Sequence, residues 1–128
     1  MERYNILFGG KAGQGPNLIT KIVGEALIKR GYYVFYARDY QSLIRGGHNY
    51  NVLTFSDEPV NSNDSKINVM ICLDEETEKL HQKDLKKDAV VMKGSSDNMY
   101  YVGRVFKLLC MEFEDLEREL KELKNFDE

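Results

Sequence analysis

Asn5-Ile6-Leu7-Phe8-Gly9-Gly10-Lys11-Ala12-Gly13-Gln14-Gly15-Pro16-Asn17-Leu18-Ile19 decides the fold. A short apolar run suits a buried strand, and the glycines that end it suit a tight turn. A helical pattern follows at once. Leu18, Ile19, Ile22, Val23, Ala26 and Leu27 recur at helical spacing, with Lys21, Glu25 and Lys29 on the other side. Pro16 fits the first helical turn, where its missing N–H costs nothing, and Gly31 fits the stop. Tyr32-Tyr33-Val34-Phe35-Tyr36 is aromatic and β-branched and reads as a second strand. Strand, glycine turn, helix and strand make a βαβ unit, whose strands are expected to be parallel with a right-handed crossover.

Downstream, Asn49 to Ser56 reads as a third strand, and Ile67 to Leu73 as a strongly apolar fourth. Asp74 can cap a helix over Thr77 to Leu85, and Ala89-Val90-Val91-Met92 closes the sheet. Lys93 to Asp97 is a Gly/Ser loop before a last helical region from Asn98, with Val102, Phe106, Leu109 and Cys110 on one face. Phe113, Leu116, Leu120 and Leu123 continue as a narrow apolar stripe, which either packs on the chain's own sheet or docks on another subunit. The expected fold class is α/β: one domain over residues 1–128, with a mainly parallel, Rossmann-like sheet of about five strands between two helical layers.

Composition narrows the function. The chain has 128 residues, 42% hydrophobic and 30% charged, with a net charge of −3. That balance argues against general nucleic-acid affinity, which needs clustered Lys and Arg. No stretch approaches the roughly 20 apolar residues that span a bilayer. The polar start Met1-Glu2-Arg3-Tyr4-Asn5 does not resemble a signal peptide, so a cytoplasmic setting is expected. Cys72 and Cys110 both sit among apolar residues and read as small core hydrophobes. With no Cys-x-x-Cys, a structural zinc or iron–sulfur cluster held by this chain alone is not expected.

The first glycine segment is a phosphate-cradle candidate, because glycines let backbone N–H groups approach an anion and the following helix offers its positive end. It matches neither common fingerprint. Gly15 is followed by Pro16 and Asn17 where a P-loop needs Lys-Ser/Thr, and Gly10-x-x-Gly13-x-Gly15 reverses the dinucleotide spacing. Asp39, near the end of the second strand, keeps a ribose-binding reading open. The alternative is that the glycines serve only a tight turn and close helix–sheet packing. A second segment, Ser42-Leu43-Ile44-Arg45-Gly46-Gly47-His48-Asn49, places a guanidinium beside two glycines, where it can reach a phosphate or carboxylate bidentately. Arg45 can equally be a loop residue held by carbonyls or a partner's carboxylate. His48 reads as a hydrogen-bonded loop residue, and His81, on a polar helix, as solvated.

Taken in order, Phe8 to Gly15, Gly31 to Val34, Tyr40 to Asn49 and Ile71 to Thr77 closely resemble the gamma subunit or domain of 2-oxoacid:ferredoxin oxidoreductases. The likeness runs over residues 4–92. It is nearest to the version fused at the N-terminus of the alpha subunit in enzymes of the pyruvate, 2-oxoglutarate or ketoisovalerate type. The C-terminal third is shorter than in that family, with only Lys93 to Asp97 between the last strand and Asn98.

The resemblance implies a non-catalytic component of an enzyme that decarboxylates a 2-oxoacid oxidatively to an acyl-CoA and passes electrons to ferredoxin. Thiamine diphosphate, Mg and iron–sulfur clusters are then expected on partner chains, namely alpha, beta and ferredoxin-like subunits in a homo- or hetero-oligomer. This chain has no Gly-Asp-Gly segment with a downstream Asn to hold thiamine diphosphate. If the chain contacts coenzyme A, the residues implied are Gly10, Gly13, Gln14, Gly15, Arg45, Gly46, Gly47 and His48. Two other readings stand beside it: a free-standing nucleotide- or CoA-binding module, and an interaction domain whose glycine loops form an interface.

Overall fold

The computed structural model describes residues 3–11, 15–39, 48–60, 66–94, 98–109, 114, 117–119 and 121, with the backbone alone at 11, 38, 39, 48 and 49. Five strands form one sheet in the order β2-β3-β1-β4-β5. They are β1 (Tyr4–Lys11), β2 (Tyr33–Asp39), β3 (His48–Ser56), β4 (Ile67–Cys72) and β5 (Leu85–Met92), and the helices are α1 (Pro16–Lys29), α2 (Glu75–His81) and α3 (Asn98–Leu108).

The sheet is mixed rather than mainly parallel. β4 pairs in parallel with both β1 and β5. β3 is antiparallel to both β1 and β2, so it lies between the two strands of the βαβ unit. β1, β2, β4 and β5 still point the same way. The physical reason lies in the β2–β3 connection: residues 40–47 are fewer than the dozen or so that a parallel crossover needs. Two boundaries also move. α2 ends at His81, a 3-10 turn covers Gln82–Asp84, and β5 begins at Leu85, because Leu85 already pairs with Ile67 of β4.

Three layers result. On one face α1 and α3 bury Ile19, Val23, Leu27, Tyr101 and Val105 against Ile6, Phe8, Leu53 and Ile71. The other face carries a smaller cluster of Leu7, Ile67, Met70 and Cys72, next to α2. Gly15 (φ 88°) forms the left-handed turn into α1, with Pro16 as the first helical residue. Gly31 (φ 95°) ends that helix, its N–H donating to the Ile28 carbonyl at 2.9 Å. The end of α1 is also tied to the C-terminal segment, where Lys29 Nζ meets the buried Glu119 carboxylate at 2.7 Å. Cys110 and the stripe residues Phe113, Leu116, Leu120 and Leu123 lie outside the described residues. Among the described residues no helix is long and apolar enough to cross a membrane.

Candidate functional site at the strand ends

The register of β1 against β3 joins the two glycine segments. Gly9 lies opposite Tyr50, Gly10 opposite Asn49 and Lys11 opposite His48. The first glycine segment therefore leaves β1 at the same corner where the second enters β3. Gly10 is buried in β1 and Gly15 opens α1. Gly13, Gln14, Arg45, Gly46 and Gly47 lie outside the described residues, but the chain ends on either side of them are fixed at this corner. His48 is the first residue of β3 rather than part of a loop.

One glycine of the first segment serves packing. A Cβ on Gly9 would overlap Thr77 Cγ2 and lie 2.6 Å from Thr77 Oγ1. Thr77 is fully buried, and Asp74 Oδ1 accepts from its N–H at 3.0 Å and its hydroxyl at 2.6 Å. The Leu73 N–H donates to the Gly9 carbonyl at 2.8 Å. The expected Asp74 cap is thus present, and it holds the start of α2 directly on the bare backbone of β1.

On the opposite face a polar clasp ties α1 to β3. Asn51, 2% exposed, donates through Nδ2 to Asn17 Oδ1 at 2.9 Å and to Thr20 Oγ1 at 3.1 Å. The Thr20 hydroxyl donates in turn to the Pro16 carbonyl at 2.7 Å. A second helix start comes close by, because the Asn98 side chain of α3 lies against Gly15: a Cβ there would be 2.6 Å from Asn98 Nδ2.

Beyond the ends of β4 and β5 lies an open cleft of about 540 Å³, bordered by Cys72, Leu73, Glu75, Glu78 and Lys93. Lys93 Nζ pairs with Glu78 at 2.8 Å, which raises the lysine pKa. Burial pushes the Cys72 thiol up to about 11, with Glu78 adding to the effect. At neutral pH it is a protonated core group and not a nucleophile. His81 is not solvated as its helix suggests. It is 8% exposed, with its ring edge-on to Tyr50 at 4.3 Å and Nδ1 3.8 Å from Asp84.

Among the described residues no group of three or more His, Cys, Asp or Glu is placed to hold a metal. The chain has two cysteines, where a cluster takes about four thiolates.

A model of the pyruvate ferredoxin/flavodoxin oxidoreductase family matches residues 5–122. The chain belongs to this family. It is similar to the 2-oxoacid:ferredoxin oxidoreductase alpha subunit of Sulfolobus sp, 40% identical over 84 residues, which are 66% of this chain and 13% of that protein. The alpha subunit of Saccharolobus solfataricus is 33% identical over 96 residues, 75% of this chain and 15% of that protein. The chain thus spans about an eighth to a seventh of the length of these curated relatives.

Among solved structures, a keto/oxoacid ferredoxin oxidoreductase gamma subunit from Geobacter sulfurreducens shares the fold. It has a TM-score of 0.76 and 22% identity over 94% of this chain and 84% of that one. A 2-oxoglutarate:ferredoxin oxidoreductase from Magnetococcus marinus, solved with 2-oxoglutarate, coenzyme A and succinyl-CoA bound, has a TM-score of 0.84 and 14% identity. The match covers all of this chain and 28% of that one. This family member therefore has an α/β fold shared with that gamma subunit.

Sequence reasoning missed Asn51, the Gly9–Thr77 contact and the burial of His81. Asn51 carried a readable signal, as an amide inside a strand beside Val52 and Leu53. Thr77 and His81 carried one too, at i and i+4 of a helix whose other residues are charged except for the exposed Leu80.

Proposed function

We propose that this domain is an assembly component on the coenzyme A side of a 2-oxoacid:ferredoxin oxidoreductase, with no complete catalytic site of its own. The observation that carries the reading is the β1–β3 register, Gly10 opposite Asn49 and Lys11 opposite His48, which brings both glycine segments to one corner. An anion lying there would meet the positive end of α1, and Arg45, three residues before His48 in sequence, is the guanidinium proposed to bind it. The relative from Magnetococcus marinus, with coenzyme A and succinyl-CoA bound, supports that ligand class. Decarboxylation and electron transfer then belong to partner chains that hold thiamine diphosphate, Mg and iron–sulfur clusters. The role of this chain is to bind and orient the thioester-forming substrate through Arg45, Gly46, Gly47 and His48 on one side and Gly10, Gly13, Gln14 and Gly15 on the other.

Arg45→Ala in the assembled enzyme tests the reading. A hydrogen bond to a charged group contributes about 1.5–3 kcal/mol, and about 1.4 kcal/mol is a factor of ten. The Michaelis constant for coenzyme A is expected to rise about tenfold or more, with that for the 2-oxoacid unchanged. An unaltered value for coenzyme A would leave Arg45 as a loop or interface residue.

A further inference from the structure

α3 carries two unlike stripes. Tyr101, Val102, Val105 and Phe106 are buried in the core that α3 shares with α1 and the sheet. Tyr100, Gly103, Arg104 and Lys107 recur at three- and four-residue spacing along the opposite face. Tyr100 is about half exposed, and Met99 and Leu108 are exposed beside that stripe. Tyrosine, methionine and arginine are the residue types enriched where proteins meet.

The charge of this face is one-sided. α3 carries Arg104 and Lys107 and no acidic residue over its 11 positions, in a chain whose net charge is −3. Among the described residues neither cation pairs with a carboxylate, and Arg104 lies over the Tyr100 ring, 5.7 Å from its centroid. The buried Tyr101 ring braces Tyr100 edge-on at 5.5 Å. Side chains already held in place lose less freedom on binding, so a partner meets a preset surface.

Gly103 supplies a separate observation. A glycine inside an α-helix lowers its stability relative to alanine. Gly9 is kept bare by Thr77 and Gly15 by Asn98, but a Cβ on Gly103 would meet no described atom within 4 Å. Its φ is not positive either, so its backbone conformation does not call for glycine. A bare stretch of helix between Tyr100 and Lys107 lets another chain come close to the backbone.

We propose that the outer face of α3 docks on a partner subunit, against a carboxylate-bearing surface that receives the Tyr100 ring and closes on the backbone at Gly103. This role rests on the multi-subunit assembly of the reading above but uses none of its coenzyme A contacts. Nucleic acid is a poor match, because two cations in an acidic chain give little attraction for a phosphate backbone.

Gly103→Ala tests the face, because folding and docking are expected to respond with opposite signs. The melting temperature of the chain is expected to rise by about 4 °C, since the helix gains and nothing is displaced. The purified assembly, diluted and followed by mass photometry, is expected to dissociate at about tenfold higher concentration, since the methyl group blocks the close approach. Tyr100→Ala removes the aromatic anchor and is expected to raise the dissociation constant about thirtyfold. Arg104→Gln combined with Lys107→Gln is expected to weaken the assembly at low salt and to remove most of its salt dependence.

An assembly of parent strength in either Gly103→Ala or Tyr100→Ala overturns the docking face and leaves the assembly reading intact. Parent chain recovered without partner subunits, alone or as copies of itself, overturns both. A melting temperature lowered in Gly103→Ala shows that the chain's own fold needs the bare backbone, and overturns the proposal as well. Should Tyr100→Ala or the glutamine pair fail to fold, Gly103→Ala decides.

Discussion

Gly9→Ala is expected to lower the melting temperature by about 10 °C. The added methyl group would overlap Thr77 Cγ2 and lie 2.6 Å from Thr77 Oγ1, and neither atom is the free end of a flexible side chain. Thr77 is fully buried and doubly bonded to Asp74, so it cannot swing away without breaking the cap of α2. Overpacking of this kind costs about 1–3 kcal/mol, and about 1 kcal/mol moves the midpoint by about 4 °C in a domain near this size. Thermal unfolding followed by far-ultraviolet circular dichroism measures it. Gly9→Ala combined with Thr77→Ala is expected to recover much of the loss, since the two clashing atoms are gone. A double variant as unstable as the sum of the singles would show that the glycine serves another purpose.

Tyr101→Ala carries a larger expected effect. The Tyr101 ring is fully buried between α3 and the sheet, and its hydroxyl donates to the Cys72 carbonyl at 3.2 Å. Truncating a buried aromatic ring costs about 3–5 kcal/mol, a large share of the 5–15 kcal/mol typical of a whole domain. The variant is expected to populate unfolded chain at ambient temperature, seen as an early, broad denaturant transition. Tyr101→Phe keeps the ring and loses one hydrogen bond, for about 1 kcal/mol. The pair separates packing from hydrogen bonding at the same position. It also bears on the corner where β1 ends, because α3 begins with Asn98, whose side chain lies against the Gly15 turn.

The parts of the fold that sequence made legible are those set by local chemistry. Phe8 to Gly15, the spacing from Leu18 to Leu27, and Gly31 specify strand, turn and helix through glycine conformation and helical periodicity. Asp74 was readable as a cap because its side chain acts within three residues. The place of β3 between β1 and β2 was not. Alternation from Asn49 to Ser56 marks a strand with one buried face but carries no information about its neighbours. The same holds for α2, whose Glu75, Glu76, Glu78 and Lys79 suggest a solvated helix while Thr77 and His81 lie buried. At the site, the order of the two glycine segments pointed to the family. Their meeting depends on the β1–β3 register, which no local pattern encodes.

Isolation of the chain from its source cells, under conditions that keep complexes together, tests the central claim most directly. The chain is expected in a larger assembly whose purified form contains thiamine diphosphate and reduces ferredoxin only when both a 2-oxoacid and coenzyme A are supplied. Recovery of the chain alone, or in an assembly with neither thiamine diphosphate nor that activity, would contradict it.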